Sequence, residues 1–264
     1  MLESFDIWML IFMGLIAFLY ASVGHGGASG FIAIMALWSM PTNTMRVIAL
    51  TLNVIVSSIS FAHYYFKNHF KWRIFLPFTA TSIPAAVLGS MITLDPTIFK
   101  RLLSIVLLIP IIRLSTVVQK RNLATDSGLI QEVQEQWSDG FRINFRTATF
   151  AVGGIIGFLS GMLGIGGGIL LSPVLIFMGW GSIKGTAAVT ALFTCVNSVA
   201  GLLTQLHHWQ DFAFFPAETM LLFSFVLLGG WLGSWWGSGP AQEIWIKRVL
   251  ALVLGIASWK LIFV

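Results

Sequence analysis

Long apolar blocks separated by short polar breaks run through almost the whole of this 264-residue sequence, for example residues 75–92 and 102–112. A helix needs about 20 mostly apolar residues to cross a hydrocarbon layer of about 30 Å, and several blocks reach that length. Charged residues make up only 9% of the chain, whereas soluble domains carry about 25%. The pattern therefore predicts an all-α, polytopic integral membrane protein.

The distribution of charge and cysteine excludes several function classes. The net charge of +5 comes from 15 Lys and Arg residues scattered between the apolar blocks. There they are topology signals and do not form a surface for nucleic acid. The single cysteine, Cys195, excludes an internal disulfide and a cysteine-based zinc cluster. The blocks contain no catalytic constellation and no metal-ligand spacing, so we expect no enzyme, no cofactor and no metal site.

The blocks form two sets of five. The first set comprises 7–23, 28–40, 46–66, 73–92 and 99–118, and the second comprises 146–163, 168–180, 185–206, 213–235 and 245–264. Four landmarks recur in the same order: 24–29 with 164–169, 75–77 with 214–216, 89–90 with 233–234, and 100–103 with 247–250. Such duplication is typical of secondary transporters. It predicts an N-terminal transmembrane repeat (1–118), a cytoplasmic connector (119–146) and a C-terminal transmembrane repeat (147–264).

The second block of each set, 28–40 or 168–180, is too short for a full span. The first two blocks of a set can therefore form a hairpin, full or re-entrant, or one broken helix. With hairpins, eleven Lys and Arg residues lie on one side and four on the other, whereas broken helices give nine against six. Because Lys and Arg concentrate on the cytoplasmic side, the hairpin is favoured, and the two repeats are predicted to be inverted.

A glycine cluster precedes each short block. The first cluster contains Gly24, Gly26 and Gly27, and the second contains Gly164, Gly166, Gly167 and Gly168. Backbone that leaves helical geometry at membrane depth has to be buried in protein or line a wet cavity. A short helix that begins there presents unpaired N–H groups and the positive end of its dipole, which suits an anion. Close helix packing is the usual role of a single cluster, but the recurrence favours a ligand site near the midplane.

Polar residues of the third blocks extend this candidate site with hydroxyl and amide donors, although helix-to-helix hydrogen bonding is an alternative role. A histidine at membrane depth, His25, could bind the anion or carry a coupling proton. The predicted substrate-binding residues are Gly24, His25, Gly26, Gly27, Ala28, Ser29, Thr51, Asn53, Gly164, Gly166, Gly167, Gly168, Ile169, Thr190, Thr194 and Asn197. Thr51 and Thr190 are taken as equivalent. Arg46 and Lys184 could draw anions towards the site from two entrances, but surface topology determinants are their favoured role. Glu218 is expected as a coupling or an interfacial carboxylate.

These motifs resemble the sulfite exporter TauE/SafE family, also called the TSUP family. The resemblance rests on the duplicated glycine motif, on Pro173 after it, on Ala-Val-Thr at 188–190 and on the Lys-Arg start of the last block in each half. It covers essentially the whole chain. The N-terminal copy departs from the motif, with His25 at the variable position and Ala28 and Ser29 where a third glycine and an aliphatic residue would be.

The resemblance implies a secondary transporter of the cell inner membrane. The favoured activity is export of a small sulfur-containing anion, such as sulfite or an organosulfonate, by alternating access around the midplane site. An anion channel of the same architecture, and import of thiosulfate or another sulfur oxyanion, are the alternatives. The expected partners are the anion and the lipid bilayer, without nucleic acid; a coupling proton or cation and a homodimer stay open.

Overall fold

The computed structural model describes residues 6–38, 40–92, 145–178, 180, 182–205, 217–242, 245 and 248–249. This part of the chain is helical and contains no strand, which confirms the all-α prediction. The first repeat contributes α1 (Ile7–Ser22), α2 (Ala28–Leu37), α3 (Thr42–Phe66) and α4 (Trp72–Ser90). The second contributes α5 (Phe145–Leu163), α6 (Gly168–Phe177), α7 (Ile183–Thr204) and α8 (Ala217–Ser238). Block 99–118, nearly all of block 245–264, most of the connector and the Glu218 side chain lie outside the described residues.

The outer surface of the helices is apolar, and polar side chains occupy part of the interior. Leu88, Ile155 and Leu228 are 61–62% exposed, whereas Asn53 and Asn197 are 0% and 1% exposed. A water-soluble protein distributes these residue types in the opposite way. Within the described residues, three helical segments are long and apolar enough to cross a membrane: Thr44–Phe66, Ile183–Thr204 and Met220–Ser238.

The second helix folds back along the first. The hydroxyl groups of Tyr20 in α1 and Ser29 in α2 are 2.9 Å apart and share a hydrogen bond. A side chain on Gly30 of α2 would collide with Ile16 of α1. In one continuous helix, residues 16 and 30 would lie about 20 Å apart. The helices α1 and α2 therefore form a hairpin, and the 10 residues of α2 rise only about 15 Å, half of the hydrocarbon thickness.

Contacts between the long helices fix their relative directions. The helices α3 and α7 are antiparallel, because Asn53 meets Ser198 while the later residue Ser58 meets the earlier residue Cys195. Parallel pairs are α8 with α3 and α4 with α7, through Val56–Gly230, Tyr64–Gly237, Ser82–Asn197 and Ser90–Thr204. Thus α3 and α7, and likewise α4 and α8, run in opposite directions.

Glycines spaced four residues apart bring the first helix of each half against the fourth helix of the other half. On α8, Gly229, Gly233 and Gly237 face the carbonyl oxygens of Gly14, Phe18 and Ser22 in α1. On α5, Gly153, Gly157 and Gly161 face those of Phe78, Ser82 and Ala86 in α4. Both pairs are parallel, so α1 and α5 also run in opposite directions. Small residues at this spacing allow two backbones to approach closely.

A side chain added to the α5 glycine row should destabilise the protein. In Gly157→Ala, the new methyl group would collide with the Ser82 carbonyl oxygen, and overpacking of this kind costs about 1–3 kcal/mol. We expect the midpoint of thermal unfolding in detergent to fall by several degrees.

Gly154→Ala is the matched control on the same helix. Its methyl group would meet only the Thr81 side chain, at 3.9 Å, so its thermal midpoint should equal or slightly exceed that of the wild type because alanine favours helix. Equal losses in both variants would contradict the close packing of α5 on α4.

Candidate functional site

The same backbone turn connects α1 to α2 and α5 to α6. In the first turn, the N–H of His25 donates to the Tyr20 carbonyl at 2.8 Å and that of Gly24 to Ala21 at 3.1 Å. In the second turn, Ile165 donates to Ser160 at 3.2 Å and Gly164 to Gly161 at 3.3 Å. This bonding pattern needs a left-handed residue after the helix, and Gly24 and Gly164 have φ of 77° and 68°.

A left-handed glycine also precedes each short helix. Gly27 has φ of 102° before α2, and Gly167 has φ of 79° before α6. A residue with a Cβ atom adopts these angles only at a cost. The two glycine clusters therefore have a local structural reason, which is separate from any ligand: they allow the chain to leave one helix and start another in the protein interior.

The side chain of Asn53, in the middle of α3, joins the two clusters. Its Oδ1 accepts a hydrogen bond from the Ala28 N–H at 3.1 Å, at the first turn of α2. Its Nδ2 donates to Ser198 Oγ at 2.7 Å and lies 3.5 Å from the carbonyl oxygen of Ile165 in the second turn. A Cβ atom on Gly26 or Gly166 would collide with this amide. The start of α2 and the turn before α6 therefore meet at one buried residue.

His25 extends from the first cluster to the second. Its Nε2 lies 2.7 Å from Ser172 Oγ in α6, and its ring lies against the backbone of Gly168. Ser172 is 3.4 Å from the Thr190 hydroxyl, which donates to the Gly24 carbonyl at 3.2 Å. The predicted residues His25, Gly168 and Thr190 therefore lie together, with Ser172 as a neighbour that the sequence did not indicate.

Several buried polar atoms near the second cluster have no hydrogen-bond partner among the described residues. They include Ser160 Oγ, Thr194 Oγ1 and Arg46 Nε. A Cβ atom on Gly167 would lie 3.1 Å from Ser160 Oγ, and one on Gly168 would collide with Thr194 Oγ1. Ser160 was not predicted as a site residue. The available signal was its position four residues before Gly164, which matches that of Tyr20 before Gly24.

Other predicted site residues make different contacts. Thr51 and Thr190 each donate a hydroxyl to the carbonyl four residues earlier in their own helix, at 2.9 Å. Thr190 is fully buried and also reaches Gly24, whereas Thr51 is only partly buried. Asn197 donates to Phe193 at 2.9 Å and accepts from Ser82 of α4 at 2.7 Å. Ile169 belongs to the apolar core. Ser29 shares its hydrogen bond with Tyr20.

The expected surface position of Arg46 is wrong. The residue is only 5% exposed, and its Nη2 donates to the Gly161 carbonyl at 3.2 Å, near the end of α5. The reason is the start of α3: the helix begins at Thr42, so Arg46 lies in its second turn and faces the interior. Lys184, in contrast, is in the first turn of α7 and donates to the Gly239 carbonyl at 2.9 Å.

The centre of the molecule thus offers N–H groups, hydroxyls and one guanidinium group. The described side chains include one carboxylate, Asp6, which caps the exposed start of α1. A site of donors with little negative charge can bind an anion.

Comparison with known proteins agrees with this architecture. The family model for the sulfite exporter TauE/SafE matches residues 9–261. The chain is 31% identical over 262 residues to "Probable membrane transporter protein y4hK" of Sinorhizobium fredii, covering 99% of this chain and 100% of that protein. No solved structure matches. The chain therefore belongs to the sulfite exporter TauE/SafE family and is a membrane transporter, not an enzyme.

Proposed function

We propose that this chain is a secondary transporter that exports a small sulfur-containing anion, such as sulfite or an organosulfonate, across the cell inner membrane. The observation that carries the proposal is the pair of buried glycine turns, each followed by a short helix, that the side chain of Asn53 joins. An anion that enters the membrane needs donors in place of its lost water. A buried helix N-terminus, which carries roughly half a positive charge, supplies such donors without a central lysine. The family name supports a sulfur oxyanion.

Alternating access is supported by the directions of the helices. Equivalent helices of the two halves run in opposite directions, as in the inverted repeats of many secondary transporters. Lys67, at the end of α3, and Lys184, at the start of α7, both approach Gly239. These two cations share one side in the hairpin topology and lie on opposite sides in the broken-helix topology. We infer inverted repeats with re-entrant hairpins, in which one half can rock against the other around the site.

Labelling of single cysteines tests the inversion. In a Cys195→Ser background, Asn68→Cys and Ser127→Cys should react with a membrane-impermeant reagent only from the cytoplasmic side, because basic residues concentrate there. Asp211→Cys, in the loop equivalent to that of Asn68, should react only from the outside.

The unmodified Cys195→Ser protein reports background labelling. Reaction of Asn68→Cys and Asp211→Cys from the same side of the membrane would contradict the inverted arrangement, whatever the substrate is.

Counterflow separates a carrier from a channel. Proteoliposomes loaded with unlabelled sulfite should accumulate external labelled sulfite transiently, and the rate should saturate with concentration, because a carrier exposes its site to one side at a time. Protein-free liposomes are the control. Flux that is unsaturable and shows no counterflow would favour the anion channel of the same architecture.

The same proteoliposomes test the direction of transport and whether transport is coupled to an ion. Imposed gradients of pH or of sodium should change the rate if a proton or cation is coupled, and preference for thiosulfate with inward flux would favour the importer. A homodimer is tested separately by the mass of the purified protein in detergent.

His25 is proposed to affect binding more than folding. The equivalent position in the second half holds Ile165, so His25→Ile keeps a side chain that this turn accommodates. The variant loses the hydrogen bond to Ser172, which costs about 1 kcal/mol, and should remain folded. We expect the anion affinity, measured by calorimetry, to change several-fold. Unchanged affinity in a folded variant would contradict this role.

A further inference from the structure

The two halves differ at three equivalent positions around their glycine clusters. Tyr20 and Ser160 are the first pair: the carbonyl of each accepts the hydrogen bond that closes its turn, from the N–H of His25 and of Ile165 respectively. Asn53 lies against Gly26, and Thr194 lies against Gly166, the glycine equivalent to Gly26. Ala187 lies beside Gly24, whereas Arg46 lies beside Gly164.

At the first cluster, the side chains at these three positions have no unused hydrogen-bond donor. The Tyr20 hydroxyl pairs with Ser29 at 2.9 Å, and the Asn53 amide binds the Ala28 N–H and Ser198. Ala187 carries no polar side chain. The start of α2 is therefore capped from within the protein, and a ligand there would have to displace Asn53.

At the second cluster the equivalent groups have unused capacity. Ser160 and Thr194 are each 1% exposed, and their hydroxyl groups have no partner among the described residues. Both lie at the backbone of Gly167 and Gly168, where α6 begins without a side-chain cap. Arg46 uses Nη2 on Gly161, the residue after Ser160, and its Nε has no partner. Burial of such donors without a partner is costly.

We propose that the anion is bound at the second cluster alone, by the hydroxyl groups of Ser160 and Thr194 and the N-terminus of α6, with Arg46 as the nearby positive charge. This inference rests on the proposed function and assigns its site. The two hydroxyl groups and the N–H groups of α6 are donors for the oxygens of a head group such as sulfite or a sulfonate. Arg46 supplies the full positive charge that the first cluster lacks, so a charged head group is required and a neutral sulfone is rejected.

A simpler role for Arg46 is to cap the C-terminal carbonyls of α5, where a cation is favourable. That role accounts for the bond to Gly161 but leaves Nε, Ser160 and Thr194 unexplained. The two roles differ in one measurable way: a capping residue changes stability without ligand, and a binding residue changes the response to ligand.

The test is a titration of the purified full-length protein with sulfite and with methanesulfonate, followed by calorimetry and by thermal unfolding. Dimethyl sulfone, which has a similar size and no charge, is the comparison compound. The wild type should bind both anions and not the sulfone. Ser160→Ala and Thr194→Val should each raise Kd about tenfold, as expected for a lost hydrogen bond to a charged group.

Arg46→Gln should raise Kd about tenfold because it removes the positive charge near the site, and Arg46→Lys should lose less because it keeps that charge. Tyr20→Phe is the matched control for Ser160→Ala, since it removes the equivalent hydroxyl at the first cluster; its Kd should stay within about twofold of the wild type. Thr79→Val, which removes a buried unpartnered hydroxyl of α4, should also bind normally.

The inference fails if the wild type binds the anions while Ser160→Ala and Thr194→Val bind equally well. It also fails if Arg46→Gln lowers the thermal midpoint without ligand but keeps the full ligand-induced shift. If the wild type binds neither anion and shows no counterflow, the proposed function itself is wrong.

Discussion

A chain that leaves helical geometry inside a hydrocarbon layer exposes N–H and C=O groups that lipid cannot bond. This protein leaves helical geometry twice in its buried interior, before α2 and before α6. The left-handed Gly24 and Gly164 close the preceding helices with two backbone bonds each. Burial of the turns against α3 and α7 excludes lipid, and the Asn53 amide reaches both turns. The positions of the two short helices depend on these contacts.

Close backbone packing holds the turns in place. Because lipid is as apolar as the helix surfaces, helices in a membrane gain little from the hydrophobic effect and associate through contact and hydrogen bonds. The glycine rows of α8 and α5 allow α1 and α4 to approach at the carbonyl level. Each row joins one half to the other, so the glycine turn of each half is supported by a helix of the other half.

The two halves have the same backbone turns but are not chemically identical. Where the first turn has a tyrosine, an asparagine and an alanine around it, the second has a serine, a threonine and an arginine at the corresponding positions. The first set forms internal hydrogen bonds, and the second leaves donors unused. Equal geometry can therefore provide stability in one half and binding in the other.

The sequence by itself determined the membrane class, the boundaries of the helices to within a few residues, and both glycine turns. These features depend on composition and on local backbone angles that favour glycine. The charge distribution also favoured the hairpin over a broken helix, in agreement with the contact between α1 and α2.

Only the tertiary structure decided which side chains face each other. In a membrane the outer face of a helix is as apolar as its core, so hydrophobic periodicity does not reveal the buried side. A start of α3 four residues earlier than expected moved Arg46 from the surface to the interior. Packing likewise decided that Ser160 lies beside the second glycine turn, because the rotation of a helix about its axis is set by contacts with its neighbours.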